Sequence, residues 1–129
     1  MDRKDLANLI FPDAKDYTYY EEKYTARNLP EGAIVTRFAP SPTGFVHMGS
    51  LLSAYEDYKA AKDTDGIFYL RIEYTDQKRS VENGISGILN DLKNFDIVPD
   101  EGMIGETESI GEYGPYIQSE RQEIYHTFA

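Results

Sequence analysis

Apolar positions recur at two different periods along this chain, and the changes of period mark out its elements. In residues 47–64, Leu51, Ala54, Tyr55, Tyr58 and Ala61 fall at helical spacing. Residues 81–95 repeat the pattern, with Ile85, Ile88, Leu89, Leu92 and Phe95 on the predicted inner face of a second helix. Between them, Gly66–Ile72 is short and nearly all apolar until its end. Such a run predicts a strand buried on both faces, as in a parallel sheet. Gly32–Phe38 reads as an earlier strand. Strand, helix, strand and helix in that order predict a right-handed crossover and a layered, doubly wound α/β fold.

The flanking segments are less regular. Residues 2–11 predict a short helix begun by Asp2, with Leu6, Leu9 and Ile10 on one face and Pro12 ending it. Residues 12–31 read as irregular. Tyr17–Tyr24, with four tyrosines among acidic residues, suits an aromatic strap over the core or, equally, a partly ordered arm. Residues 99–116 are rich in Gly and Pro and read as loop, and Gln118–Ala129 reads as a third helix. The chain therefore divides into an arm, 1–31, and a domain, 32–129.

Composition narrows the functions open to it. The 129 residues suffice for one modest core. A formal net charge of −10 is the wrong sign for gripping RNA by charge, and reads as a solubility feature. There are no cysteines, hence no disulfide and no Cys-ligated zinc, which fits a reducing cytoplasm. With two histidines, no dedicated metal site is expected. No apolar run reaches membrane-spanning length.

Residues 37–50, Arg-Phe-Ala-Pro-Ser-Pro-Thr-Gly-Phe-Val-His-Met-Gly-Ser, carry the candidate chemistry. A strand runs into a Pro/Gly-rich turn that delivers His47 to a helix start. Unpaired N–H groups and the helix dipole make such a start attractive to phosphate. Gly49 allows close approach of a ligand, and His47 can donate to an anionic oxygen, although a histidine here also serves as a helix cap or a satisfied core residue. Arg37 and Glu73 fall near the ends of the two strands, where ligands of open parallel sheets bind. A cation and an anion there can hold the two ends of an amino acid, or can pair with each other.

These segments resemble the class I aminoacyl-tRNA synthetases, and within them the glutamyl branch. His47-Met48-Gly49-Ser50 matches the family's HIGH element, and the lead-in with Ser41-Pro42-Thr43 resembles the glutamate enzymes. Tyr69-Leu70-Arg71-Ile72-Glu73 is similar to the segment ending in the acidic residue that contacts the substrate amino group. Gly114-Pro115-Tyr116-Ile117-Gln118-Ser119-Glu120-Arg121 resembles the element leading toward the acceptor-stem region. The resemblance spans about residues 30–129 and the arm more loosely. It implies activation of L-glutamate by ATP with Mg²⁺, then transfer to tRNA(Glu). Arg37, Ala39, Ser41 and Glu73 would contact glutamate. Thr43, Gly44, His47, Gly49 and Ser50 would hold ATP, with His47, Gly49 and Ser50 serving catalysis. A cytoplasmic, monomeric parent is expected, touching tRNA mainly through regions outside this chain.

The sequence departs from that family pattern in three places. It has no second, lysine-rich KMSKS signature; Lys78-Arg79-Ser80 follows the wrong strand. Tyr74 stands where relatives usually carry aspartate. The far side of the 50–64 helix is unusually polar, with Glu56, Asp57, Lys59, Lys62, Asp63 and Asp65. A fragment holding the first half of a catalytic domain is therefore expected, with feeble activity of its own. The alternatives are a glutamyl-queuosine tRNA synthetase-like enzyme and a catalytically silent folded module.

Overall fold

The computed structural model describes residues 1–74 and 81–129. Four strands form one sheet in the order β1-β2-β3-β4: Val35–Phe38, Ile67–Leu70, Glu101–Met103 and Ser109–Ile110. The first three are parallel, with Val35 opposite Ile67 and Tyr69 opposite Glu101, and β4 runs antiparallel to β3. The helices are α1 (Arg3–Ile10), α2 (Tyr17–Lys23), α3 (Met48–Asp63), α4 (Gly84–Asn94) and α5 (Gln122–Phe128), the last preceded by a 3-10 turn at Gln118–Arg121. Ile72 makes a further parallel bridge to Ile117.

Strand alternation decides which residues enter the core. Phe38, Phe68, Leu70 and Ile72 point to one side and are buried. Leu51, Ala54 and Ala61 of α3, and Ile85, Ile88 and Leu92 of α4, pack with them, with Ile97 and Met103 completing the cluster. The two alanines leave no bulk between α3 and the sheet. The Thr36 hydroxyl donates to the Asp57 carbonyl at 2.7 Å and ties β1 to α3. Asp100 accepts from the Phe68 N–H at 2.9 Å and pairs with Lys62. The opposite side of the sheet carries Val35, Arg37, Tyr69 and Arg71, only partly covered by the arm and the 111–121 segment.

Several expectations are corrected. Residues 12–31 are not wholly irregular: Tyr17–Lys23 is helical, capped by Asp16 accepting from Thr18 N–H at 3.1 Å. Of its tyrosines, Tyr20 is buried and Tyr24 lines a pocket beside Val35 and Tyr69 on the second face of the sheet. Tyr20 meets Phe128, and Tyr24 stacks on Tyr113 at 6.2 Å, so the arm lies against the C-terminal segment. The 99–116 segment is not all loop, because it contains β3 and β4. Their shortness and glycine content hid them, and pairing supplies what intrinsic propensity lacks. Leu6, Leu9 and Ile10 lie on α1, whose residues are all exposed. Tyr55 is exposed, and Phe95, 54% exposed, follows the last turn of α4, where Asp96 at φ 58° swings the chain away. Tyr74, which stands where relatives usually carry aspartate, is half-buried and packed on the core. The Lys78-Arg79-Ser80 segment lies outside the described residues.

Candidate functional site at the β1–α3 connection

Residues 39–47 join β1 to α3 and wall a cleft at the carboxyl end of β1. Its volume is about 520 Å³, and Ala39, Ser41, Thr43, Gly44, His47 and Ser50 all line it. The loop is held from three directions. The Glu73 N–H donates to the Pro40 carbonyl at 3.0 Å, and the Val81 N–H to the Pro42 carbonyl at 3.0 Å. The Val46 N–H donates to Asp91 Oδ2 at 3.2 Å. Within the loop, the Thr43 N–H donates to the Ser41 carbonyl at 2.9 Å, and Pro42 is fully buried. Gly44 sits at φ +143°, a conformation that side chains resist.

His47 occupies the N-cap position of α3 with extended backbone, but its side chain makes no capping hydrogen bond and is exposed. Neither the capping role nor the satisfied core role describes it. The first intrahelical bond runs from the Leu51 N–H to the His47 carbonyl at 2.9 Å. The N–H groups of Met48, Gly49 and Ser50 therefore lie in the turn that leaves donors free. A Cβ placed on Gly49 or Gly44 would meet nothing within 4 Å, so open space lies above this turn. Gly49 itself is not among the residues lining the cleft.

Arg37 and Glu73 come together at neighbouring strand ends, outside the lining of the cleft. An Arg37 guanidinium nitrogen lies 3.9 Å from Glu73 Oε1, with the side chains 39% and 32% exposed. A pair this long and this wet contributes at most about 1 kcal/mol, so a ligand can displace it at little cost. Arg71, absent from the sequence-derived site, approaches the same carboxylate oxygen at 3.5 Å. Its signal was a lone arginine in an apolar strand, at a position of Arg37's parity. Burial, and then the neighbouring Glu56 charge, push the Asp57 carboxyl up, and the field of Arg37 opposes them in part.

Gly84, in the first turn of α4, backs directly onto the loop. A Cβ there would stand 2.7 Å from the Pro42 carbonyl oxygen and 2.9 Å from Pro42 Cβ. Gly84→Ala is expected to cost about 1–3 kcal/mol by overpacking and to shift the loop. Amide NMR shifts of Ser41, Thr43 and His47 should move, and thermal denaturation should fall. Unmoved shifts would mean that α4 does not set the loop position.

A family profile described as tRNA synthetases class I (E and Q), catalytic domain, matches residues 33–129. A glutamate–tRNA ligase from Clostridium beijerinckii is 54% identical over 125 residues, covering 96% of this chain and 23% of that protein. One from Acetivibrio thermocellus is 50% identical over 133 residues, covering 100% of this chain and 24% of that protein. The crystal structure of a glutamate tRNA ligase from Elizabethkingia meningosepticum, in complex with its amino acid, aligns with a TM-score of 0.64 and 44% identity. That alignment covers 74% of this chain and 18% of the other. The chain thus spans about a quarter of the length of the curated relatives it matches. Residues 33–129 carry the family's sequence and fold, so the chain belongs to the class I tRNA synthetase (E and Q) catalytic-domain family.

Proposed function

We propose that residues 32–129 form the first half of the catalytic domain of a glutamate–tRNA ligase, holding ATP and glutamate for adenylate formation. The observation that carries this reading is the cleft, where one loop gathers Ala39, Ser41, Thr43, Gly44, His47 and Ser50 around the free first turn of α3. In the reaction, a glutamate carboxylate oxygen attacks the α-phosphorus of ATP and pyrophosphate leaves. The acyl group then passes to the terminal ribose of tRNA(Glu), and AMP departs. ATP arrives with Mg²⁺ as its substrate companion.

The protein's work is to position two anions and to stabilise charge spreading over phosphate oxygens. His47 and the N–H groups at the start of α3 would donate to those oxygens, and the space above Gly44 and Gly49 would admit the phosphate chain. Thr43 and Ser50 supply hydroxyls at the same wall. Arg37 would take a substrate carboxylate and Glu73 the ammonium group, each giving up its loose mutual contact. Ser41 and the Ala39 backbone would complete the amino-acid contacts. Among the described residues, no helix is long and apolar enough to cross a membrane.

Arg37→Ala tests the division of roles. Calorimetric titration should show glutamate binding weakened by about 1.5–3 kcal/mol, the loss of a charge-assisted contact, with ATP binding unchanged. Equal losses for both ligands would refute the assignment. Glutamate-dependent pyrophosphate exchange in the presence of tRNA tests the activity; its absence from a verified folded sample would favour a silent module.

A further inference from the structure

A second pocket, of about 320 Å³, opens on the opposite side of the sheet and shares no lining residue with the cleft. Three arginines and three tyrosines dominate its wall: Arg27, Arg71, Arg121, Tyr24, Tyr69 and Tyr113. This is a local excess of positive charge on a chain whose formal charge is −10.

The three guanidiniums are unequally satisfied. Arg27 makes a two-pronged pair with Glu101 and lies 3.8 Å from the Tyr113 ring centroid, so its charge is matched. Among the described residues, Arg71 reaches only the Glu73 oxygen at 3.5 Å, which it shares with Arg37. Arg121 donates through one terminal nitrogen to the carbonyls of Pro115 at 2.7 Å and Tyr113 at 3.3 Å. Among the described residues, two carboxylates thus face four guanidiniums. The Nε atoms of Arg71 and Arg121 are both buried without a hydrogen-bond partner among the described residues. A buried charged donor with nothing to donate to is costly, so the charge of these two guanidiniums is under-compensated within the protein, and an anion held by their remaining N–H groups offsets it. Two of the tyrosine hydroxyls are engaged elsewhere: Tyr24 donates to the Gly114 carbonyl and Tyr113 to the Thr25 carbonyl.

We propose that this pocket binds an oxyanion, a phosphate or carboxylate group, through Arg71 and Arg121. Guanidinium forks suit both groups. The ligand is a small free anion, or the same group borne on a longer molecule. Titration of this chain with inorganic phosphate, and separately with acetate, at constant ionic strength set by chloride distinguishes the two chemistries. The Arg71 and Arg121 Nε–H resonances should shift saturably, with a midpoint at or below about 1 mM. Saturation by phosphate assigns a phosphoryl ligand, and saturation by acetate alone assigns a carboxylate. Arg121→Gln should weaken the response about tenfold or more, and Arg121→Lys should restore part of it. If Arg121→Gln does not fold, the titration of the unaltered chain still decides. Shifts that do not saturate, or that chloride reproduces, overturn the proposal.

Discussion

Gly102→Ala should destabilise the domain severely. Gly102 lies opposite Leu70 in the parallel β2–β3 register, at φ +107°. A Cβ there would stand 2.0 Å from the Leu70 carbonyl oxygen, which is backbone and cannot swing aside. Backbone strain and overpacking together predict a loss of about 3–5 kcal/mol. Small domains have about 5–15 kcal/mol in total. Gly87→Ala is the matched control. Gly87 lies within α4, and its Cβ would meet nothing within 4 Å, so the change should stabilise by up to about 1 kcal/mol. Urea denaturation measures both. A Gly102→Ala loss below about 1 kcal/mol would show that β3 does not sit where the β2–β3 register puts it.

Phe68→Ala is the second severe change. Phe68 is completely buried in β2 and meets Tyr58 of α3 edge-on, with centroids 5.7 Å apart. Truncation should cost about 3–5 kcal/mol for the lost burial and the cavity, with the lost aromatic pair included. The effect should spread to the cleft, because α3 rests on this ring and its first turn is a wall of the site. Phe95→Ala, by contrast, should cost under about 1 kcal/mol, since Phe95 is more than half exposed. Near-equal losses from the two would contradict the packing described here. Equilibrium unfolding monitored by tyrosine fluorescence checks both.

The contrast between Phe68 and Phe95 shows how far an amino-acid pattern can be taken. Both look like core positions from spacing alone. Phe68 is held by strand pairing on either side, so its direction follows from alternation. Phe95 lies one residue past the end of α4, where helical spacing no longer predicts direction. The same limit explains β3 and β4. Strands of three and two residues carry too little period to be read, and their existence depends on partners distant in sequence.

The candidate site divides along similar lines. Ala39 to Ser50 are neighbours in sequence, so a single turn brings them to one wall, and the residues could be read in order. The nearness of Glu73 to that loop rests on the bond from its N–H to Pro40, which joins segments 33 residues apart, and the approach of Arg71 to Glu73 rests on strand parity. The second pocket was out of reach of any local reading. Its arginines come from the arm, from the end of β2 and from the 3-10 turn before α5.

By itself, the sequence determined the alternation of strand and helix, the glycine-rich turn before α3 and the local chemistry of residues 37–50. These depend on period, steric freedom and neighbours along the chain. Only the tertiary structure decided which charges meet, which apolar residues escape the core, and how few carboxylates face the clustered guanidiniums. Those outcomes depend on distances between remote segments, which no local period encodes.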